Sequence, residues 1–367
     1  MFTTILIFFV ILLVLVLAHE WGHFFAARWL GIKVEEFGFG FPPRLASMER
    51  RGTKYSFNWL PLGGFVKLKG EAGTNRTDPD SFASKKPWRR SVVLVAGVAM
   101  NMVLAFCLLS LGFMIGVPTS LDESEIPKAR DVKIQVVMVT PDSPAVKAGI
   151  EVGDAIVTLD GQVFTTLTQV QNYIATHTAS PIAFELERLG KIKQLEVQPT
   201  FLPEVPERAV VGVNLVQTGV LSYPWYKALW HGAKSTVFLT KEIFLAFGSL
   251  FRGLLVERHV PTDLAGPVGI AVLTGQVVNL GFAYVVQFAA LLSINLALIN
   301  ILPFPALDGG RLLFVVIEKL RRKPNDAKVE ALVHNLGFAF LMLLVVLITY
   351  RDIVRIGSGF FENLFGA

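Results

Sequence analysis

The sequence is poor in cysteine and in charged residues, and each shortage excludes a class of protein. The single thiol, Cys107, cannot form a disulfide within the chain, and it lies in an apolar run where packing is its usual role. Charged residues make up 17% of the chain and hydrophobic residues 53%, whereas a soluble domain has about 25% charged residues. This balance excludes a wholly soluble protein. The net charge of +5 is only a weak sign of nucleic-acid binding, and we expect no such partner.

Basic residues are also missing before the first apolar stretch. A secretory signal has a basic segment at its start and a small-residue cleavage site at its end, and neither is evident around residues 1–18. Apolar residues continue as far as Leu30, so we expect this segment to be retained as a span with polar groups in its second half.

Four segments are apolar over about 20 residues, the length that crosses a bilayer. They cover residues 2–30, 92–117, 282–302 and 332–350. The polar stretch 118–217 contains alternating strand-like and helix-like patterns, which predict an inserted α/β domain. The predicted fold is therefore a polytopic α-helical membrane protein with about four transmembrane helices and an α/β insertion.

The charges of the loops predict the orientation of the chain. Residues 31–90 contain twelve Lys and Arg against six Asp and Glu, whereas residues 118–217 contain eight against thirteen. Short basic loops remain on the cytoplasmic side of a membrane. We therefore expect residues 31–90 inside and the α/β domain outside.

The segment 226–256 is apolar over much of its length but is interrupted by charges such as Lys234 and Lys241. We interpret it as an amphipathic helix at the outer interface, with a fifth crossing as the alternative. The chain is then predicted to divide into residues 1–117, 118–217, 218–281 and 282–367.

The clearest chemical motif is His19-Glu20-Trp21-Gly22-His23, in the second half of the first span. Histidines four residues apart lie on one helix face, and they can occupy two positions of a tetrahedral zinc site. Glu20 is then placed to act as the general base toward the attacking water. A carboxylate inside a span costs about 2.5 kcal/mol or more, so a helix that only anchors the protein would avoid it. The alternative is a helix end whose polar groups are wetted by headgroups.

The segment Asn300 to Arg311, N-I-L-P-F-P-A-L-D-G-G-R, contains the best candidate for a third ligand. Its two prolines end the helix, and Gly309 and Gly310 allow a tight turn that aims Asp308 back at the histidines. The prediction is one Zn²⁺ per chain, with one position open for water. The competing interpretation is an ordinary turn or helix cap, because Asp before Gly is common in turns. We expect packed or solvated roles for His177, His231, His259 and His334.

Residues 54–60 alternate aromatic and polar side chains, residues 61–64 suggest a turn, and residues 65–69 continue beyond it. This pattern predicts a β-hairpin near the catalytic helix. Since a membrane substrate arrives as a helix, a protease must unwind it, and the edge of a hairpin can hold it extended. A hairpin that rests on the membrane without a substrate role is the alternative. The candidate substrate contacts are Tyr55, Phe57, Trp59, Gly63 and Gly64, with Asn101 and Asn300 in the spans.

Together these segments resemble the site-2 protease family of intramembrane zinc metalloproteases, of the RseP type. The resemblance rests on the H-E-x-x-H motif, on W-L-P-L-G-G-F-V-K at 59–67, on A-G-P-V-G-I at 265–270 and on the stretch from Asn300 to Gly309. The resemblance implies that the hairpin is a membrane-reentrant element that clamps an unwound substrate. It also implies His19, His23 and Asp308 as zinc ligands and Glu20 as the catalytic base. Where the family often has Gly-Pro in its second span, this chain has Gly97-Val98, so a proline kink is not expected.

The segment 143–161 is similar to part of a single PDZ domain, which in the family acts as a size filter outside the cytoplasm. The resemblance implies a multi-pass protein of the bacterial cytoplasmic membrane, with its active site toward the cytoplasm. Its implied substrates are single-span membrane proteins already cut by another protease, such as anti-sigma factors or remnant signal peptides. Two alternatives differ in class. A metal transporter explains intramembrane His, Glu and Asp but not the hairpin, and an inactive scaffold usually lacks the Glu or a ligand.

Overall fold

The computed structural model describes residues 2–73, 75–121, 125–140, 143–177, 180–188, 190–202, 205–253, 256 and 266–365. In chain order its elements are α1 (Phe2–Trp29), β1 (Val34–Arg50), β2 (Thr53–Leu68), α2 (Pro87–Ile115), β3 (Val117–Ser120), β4 (Arg130–Val139), α3 (Pro144–Ala148), β5 (Ala155–Leu159), α4 (Leu167–Thr176), β6 (Ile182–Arg188), β7 (Lys191–Val197), β8 (Thr200–Leu202), β9 (Val205–Val210), β10 (Val213–Leu221), α5 (Trp225–Arg252), α6 (Pro267–Leu280), α7 (Phe282–Ile301), α8 (Asp308–Arg321) and α9 (Ala327–Phe365).

The chain forms two compact units. The helical unit comprises Met1–Ser110, Leu229–Val278 and Val285–Ala367, and the inserted unit comprises Leu111–Ala228 with Asn279–Tyr284. Each has its own apolar core.

Within the described residues, four helices are long and apolar enough to cross a membrane. They are Thr3–Trp29, Pro87–Ile115, Phe282–Ile301 and Ala327–Val354, with mean hydropathies between 2.0 and 2.6. Many of their apolar side chains point away from the protein, as Leu343 does on α9. Lipid tails are as apolar as these side chains, so such a surface suits a bilayer. The prediction of about four transmembrane helices is confirmed.

The helix α5 covers most of the segment that we expected at the outer interface. Its residues Leu239 and Ile243 pack against a core of Ala105, Leu109, Ala290 and Ile294 from α2 and α7. Its opposite face exposes large apolar side chains, among them Val237, Phe238 and Phe244. One apolar face therefore packs on other helices and another is exposed. An interfacial position for this helix stays a prediction.

The predicted hairpin belongs to a more folded sheet. β1 and β2 pair along three stretches: 44–50 with 53–58 and 34–39 with 64–68 in antiparallel register, and 36–39 with 54–57 in parallel register. Phe37 accordingly opposes both Tyr55 and Val66. The sheet therefore has four segments side by side, in the order 44–50, 53–58, 34–41 and 64–68. The chain reverses its direction between Phe57 and Gly64, because both residues oppose Phe39 from its two sides. The reversal predicted at residues 61–64 is therefore present, although β2 is continuous to Leu68.

A second core cluster fixes this sheet to the spans. Buried side chains of the α1 end, the sheet, α2 and α8 meet there, including Ala27, Val34, Leu68, Val93 and Val315. These residues are at most 6% exposed. The sheet, α1, α2 and α8 thus form one packed group around the metal motif.

The inserted unit contains a six-stranded sheet in the order β3-β10-β4-β5-β6-β7, with the helices α3 and α4. Leu159, Val170, Ile182 and Phe184 are almost wholly buried in its core. Alternating burial along β6 follows from the period of two in a strand. The α/β composition agrees with the sequence prediction for residues 118–217.

Candidate metal centre

The metal motif lies on one face of α1. His19 and His23 are one helical turn apart, and their rings meet edge to face, with the two Nε2 atoms 3.1 Å apart. Both side chains are about 10% exposed. The spacing of four residues in the sequence therefore brings the two Nε2 atoms together on one face of the helix.

A backbone carbonyl fixes the orientation of His23. Its Nδ1 lies 2.8 Å from the carbonyl oxygen of Val93 on α2. A carbonyl oxygen only accepts hydrogen bonds, so Nδ1 carries the proton and Nε2 of the neutral ring presents a lone pair. Such a second partner is the usual companion of a metal-binding histidine.

Asp308 is the first residue of α8, and its approach to α1 depends on the two glycines that follow it. A Cβ atom at Gly309 would overlap with the carbonyl oxygens of Ile301 and Leu302, and one at Gly310 would overlap with that of Phe304. Only glycine allows this close approach of α8 to the end of α7. The tight turn predicted at Gly309 and Gly310 is therefore the first turn of α8, which packs closely against the loop that precedes it.

His334 on α9 holds the same loop. Ala306 adopts a left-handed backbone conformation with φ of 77°, and its N–H donates to Nδ1 of His334 at 2.9 Å. Sequence reasoning gave His334 no role at the site, because no spacing relates it to the loop. His259 lies outside the described residues.

Three electron-rich atoms converge at the centre. Oδ2 of Asp308 lies 3.0 Å from Nε2 of His19 and 3.2 Å from Nε2 of His23. Three hydrogen-bond acceptor atoms that lie close together with little access to water are stabilised by a bound cation. Tetrahedral Zn²⁺ with bonds of about 2.0–2.1 Å places its ligand atoms about 3.3 Å apart, so the residues fit this ion.

A cavity of 370 Å³ opens beside the three ligands. Glu20 lines it, and so do Phe65 and Val66 of the sheet and Arg311 of α8. Arg311 forms an ion pair with Glu71. The cavity has room for a peptide segment, and it places a carboxylate next to the metal ligands.

Gly64 brings the sheet against the catalytic helix. A Cβ atom there would lie 3.2 Å from Cγ1 of Val16 and 3.4 Å from Cγ of Glu20. The backbone of Val66 lies within hydrogen-bonding reach of the Glu20 carboxylate. The sheet therefore lies beside α1, as predicted, and Gly64 is a point of close contact between them.

The other predicted substrate contacts lie farther out. Tyr55 packs on Phe24 and Phe37 in the middle of the sheet, while Phe57 and Trp59 are 51% and 64% exposed. Asn300 is half-buried in the last turn of α7. Gly63 adjoins Gly64 in β2. None of Tyr55, Phe57, Trp59, Gly63 and Asn300 lines the described cavity, and their roles stay predictions.

Asn101 is fully buried in α2. Its side-chain amide has no hydrogen-bond partner among the described residues, while its backbone carbonyl accepts a bond of 2.8 Å from Ser293. Its role in substrate binding stays a prediction.

Gly22 and Gly97 let α1 and α2 touch at the centre. A Cβ atom at Gly22 would overlap with the carbonyl of Ala96, and one at Gly97 would overlap with the His23 ring. Sequence reasoning noted Gly97 only through a family pattern. Small residues that permit close helix contact are a general signal in membrane helices, and that signal could have identified both glycines.

We therefore expect Gly97→Ala to weaken zinc binding, because the new methyl group displaces the His23 imidazole from its ligand position. The expected loss of zinc affinity is about ten- to a hundredfold, the size found when a ligand's support is removed, measured by competition with a chelator. Gly248→Ala is the control, since no atom lies within 4 Å of a Cβ there. Equal affinities in both variants would contradict this account of Gly97.

Two histidines from one helix turn, an aspartate from a second helix and a carboxylate beside them define a zinc metalloprotease whose site is built on membrane helices. A sequence profile of peptidase family M50 matches residues 7–344. The chain belongs to this family.

Curated relatives resemble the chain over nearly its whole length. The zinc metalloprotease RasP of Geobacillus kaustophilus is 30% identical, over 96% of this chain and 98% of its own length. A Clostridium perfringens protein named as a zinc metalloprotease is 35% identical, over 93% of this chain and 95% of its own length. The expectation of a zinc-dependent protease is confirmed, and the metal transporter and the inactive scaffold find no support.

Among solved structures, the PDZ domain of the SdrC-like protein from Listeria innocua is similar to part of the chain. The match has 23% identity and a TM-score of 0.20, and it covers 23% of this chain and 92% of that domain.

Proposed function

We propose that this protein hydrolyses peptide bonds inside the transmembrane segments of single-span membrane proteins. The observation that supports the proposal best is an open sheet edge beside the catalytic carboxylate. Residues 64–68 pair with β1 on one side, and no described strand pairs with their other side. Phe65, Val66 and Leu68 line the metal cavity.

An open edge explains how a helical substrate becomes cleavable. Carbonyl groups of a transmembrane helix are engaged in the helix's own hydrogen bonds. A substrate segment added as a strand to residues 64–68 exchanges those bonds for bonds to the edge. Because the Val66 backbone lies near Glu20, the scissile peptide is then held next to the carboxylate.

The residues of this chain divide the chemistry between them. Zinc, when bound, supplies a Lewis acid that polarises a carbonyl and lowers the pKa of water. Glu20 takes a proton from the attacking water and delivers it to the leaving amide nitrogen. His19, His23 and Asp308 hold the ion, while the apolar cavity wall of Val93 and Leu94 limits the access of bulk water.

The proposal includes the setting of the reaction. The loop charges and the bacterial relatives support a multi-pass protein of a bacterial cytoplasmic membrane, with the active site toward the cytoplasm and the inserted unit outside. In this arrangement the inserted unit admits substrates whose outer portion another protease has already removed. Release of an anti-sigma factor or clearance of a remnant signal peptide is the physiological outcome that we propose.

Cleavage of a defined substrate tests the function. The purified protein and a tagged single-span protein are reconstituted together in liposomes, and the product ends are mapped by mass spectrometry. We expect the cut within the apolar span. Cuts confined to the polar flanks would contradict the proposal while leaving protease activity intact.

The same assay tests whether unwinding limits the reaction. Replacing two leucines next to the cut by glycine lowers the helix stability of the substrate by about 1 kcal/mol per residue. We expect kcat/KM to rise about tenfold. The same substitutions at the far end of the span serve as the control, and equal rates for both substrates would argue against strand addition.

A further inference from the structure

A basic pocket lies where the first span ends. Its volume is 350 Å³, and the cationic side chains that line it are Arg28 at the end of α1, Lys33 before β1 and Arg51 in the turn between β1 and β2. All three are exposed. The amine of Lys85 also approaches the pocket, since it lies 3.6 Å from the position of a Cβ atom at Gly31.

The positive charge of the pocket is largely unmatched. Its one acidic side chain, Asp80, is already paired with Lys69 at 2.7 Å. In the part of the chain that the structure describes, Arg28, Lys33 and Arg51 form no ion pair within 4 Å. Asp80 also attracts Lys33, but one carboxylate against three cations leaves a net positive charge, so the pocket favours an anion.

Exposed tryptophans place the pocket at the level of the lipid headgroups. Trp29 is the last residue of α1 and is 79% exposed, and Trp88 near the start of α2 is 51% exposed. Tryptophan is enriched where a span meets the membrane surface. The anions found at that level are lipid phosphates, and arginine binds their oxygen atoms in pairs.

We propose that Arg28, Lys33 and Arg51 form a binding site for the phosphate of an anionic phospholipid. A phosphate bound there contacts both α1, which carries His19 and His23, and the turn between β1 and β2. It therefore ties the sheet to α1 on the side away from the 64–68 edge. Basic pockets beside membrane helices bind lipid headgroups in the same way.

Native mass spectrometry of the full chain in detergent tests the site. Phosphatidylglycerol and phosphatidylcholine with identical acyl chains are titrated against the wild type and against Arg28→Gln/Arg51→Gln. We expect tighter binding of phosphatidylglycerol by the wild type and at least a tenfold loss of that binding in the variant. The matched control is Arg321→Gln/Arg322→Gln, which removes two exposed arginines at the end of α8 and is expected to change binding less than twofold.

Two results would overturn the proposal. Equal loss in both double variants would show a general effect of charge. Displacement of the lipid by inorganic phosphate at equal concentration would show a site for a free anion. Zinc content reports whether each variant is folded. If the glutamine variant does not fold, Arg28→Lys/Arg51→Lys keeps the charge but removes the paired donors, and undiminished binding of phosphatidylglycerol by that variant would contradict the predicted arginine geometry.

Discussion

We expect replacement of Glu20 by Gln to slow peptide hydrolysis strongly and to leave the zinc in place. Gln has the same shape, so the packing of α1 against Gly64 is kept, but an amide cannot take a proton from the attacking water. A positioned general base contributes about 10²- to 10⁴-fold to a rate, so we expect a loss of this size in kcat. The measurement is cleavage of the reconstituted single-span substrate, with zinc content determined on the same sample.

The control for this variant is Glu242→Gln, which removes an exposed carboxylate from α5. It is expected to retain full activity. If Glu20→Gln cleaved at the wild-type rate, Glu20 would not be the base, and a different group in the cavity would have to be sought.

Removal of the third ligand has the second large effect, and it acts on the metal itself. Asp308→Ala leaves only His19 and His23 to hold the ion. We expect one zinc per wild-type chain and at least a hundredfold lower affinity in the variant, because an ionised carboxylate offsets the charge of the ion in a poorly hydrated site. Metal analysis after dialysis against a weak chelator measures the difference.

Asp326→Ala is the comparison for Asp308→Ala. Asp326 is an exposed carboxylate before α9, where its oxygen accepts a bond from the Lys328 amide. Its loss is expected to affect helix stability by about 1 kcal/mol and zinc content not at all. Full zinc occupancy in Asp308→Ala would mean that another group completes the site.

The sequence allowed the convergence of His19, His23 and Asp308 to be predicted because the geometry is local or nearly so. A spacing of four residues means one helix face, which needs no knowledge of the rest of the fold. Asp308 could be proposed because prolines and glycines mark a loop, and that loop follows a span. The distance of 3.0 Å between Asp308 and His19 depends on the packing of α8, which no local pattern contains.

Residues that act through their backbone were not predictable from their side chains. The backbone carbonyl of Val93 accepts a hydrogen bond from Nδ1 of His23, and any residue type could do so. Similarly, the backbone N–H of Ala306 donates a hydrogen bond to His334, which lies on a helix distant in the sequence. These supports depend on tertiary contacts, so only a three-dimensional structure identifies them.

The fold of the sheet differed from prediction for a related reason. Alternation along β2 correctly indicated a strand, but the period of two is the same wherever the strand pairs. It therefore could not show that β1 lies between two segments of β2. This arrangement leaves residues 64–68 at one edge of the sheet.

The origin of the three ligands in different parts of the chain also affects biosynthesis. His19 and His23 are made with the first helix, whereas Asp308 is made with the eighth. A growing chain therefore carries an incomplete metal site until nearly all of its spans have been translated and inserted. The metal site can therefore form only after synthesis has passed Asp308, which follows the third of the four candidate spans.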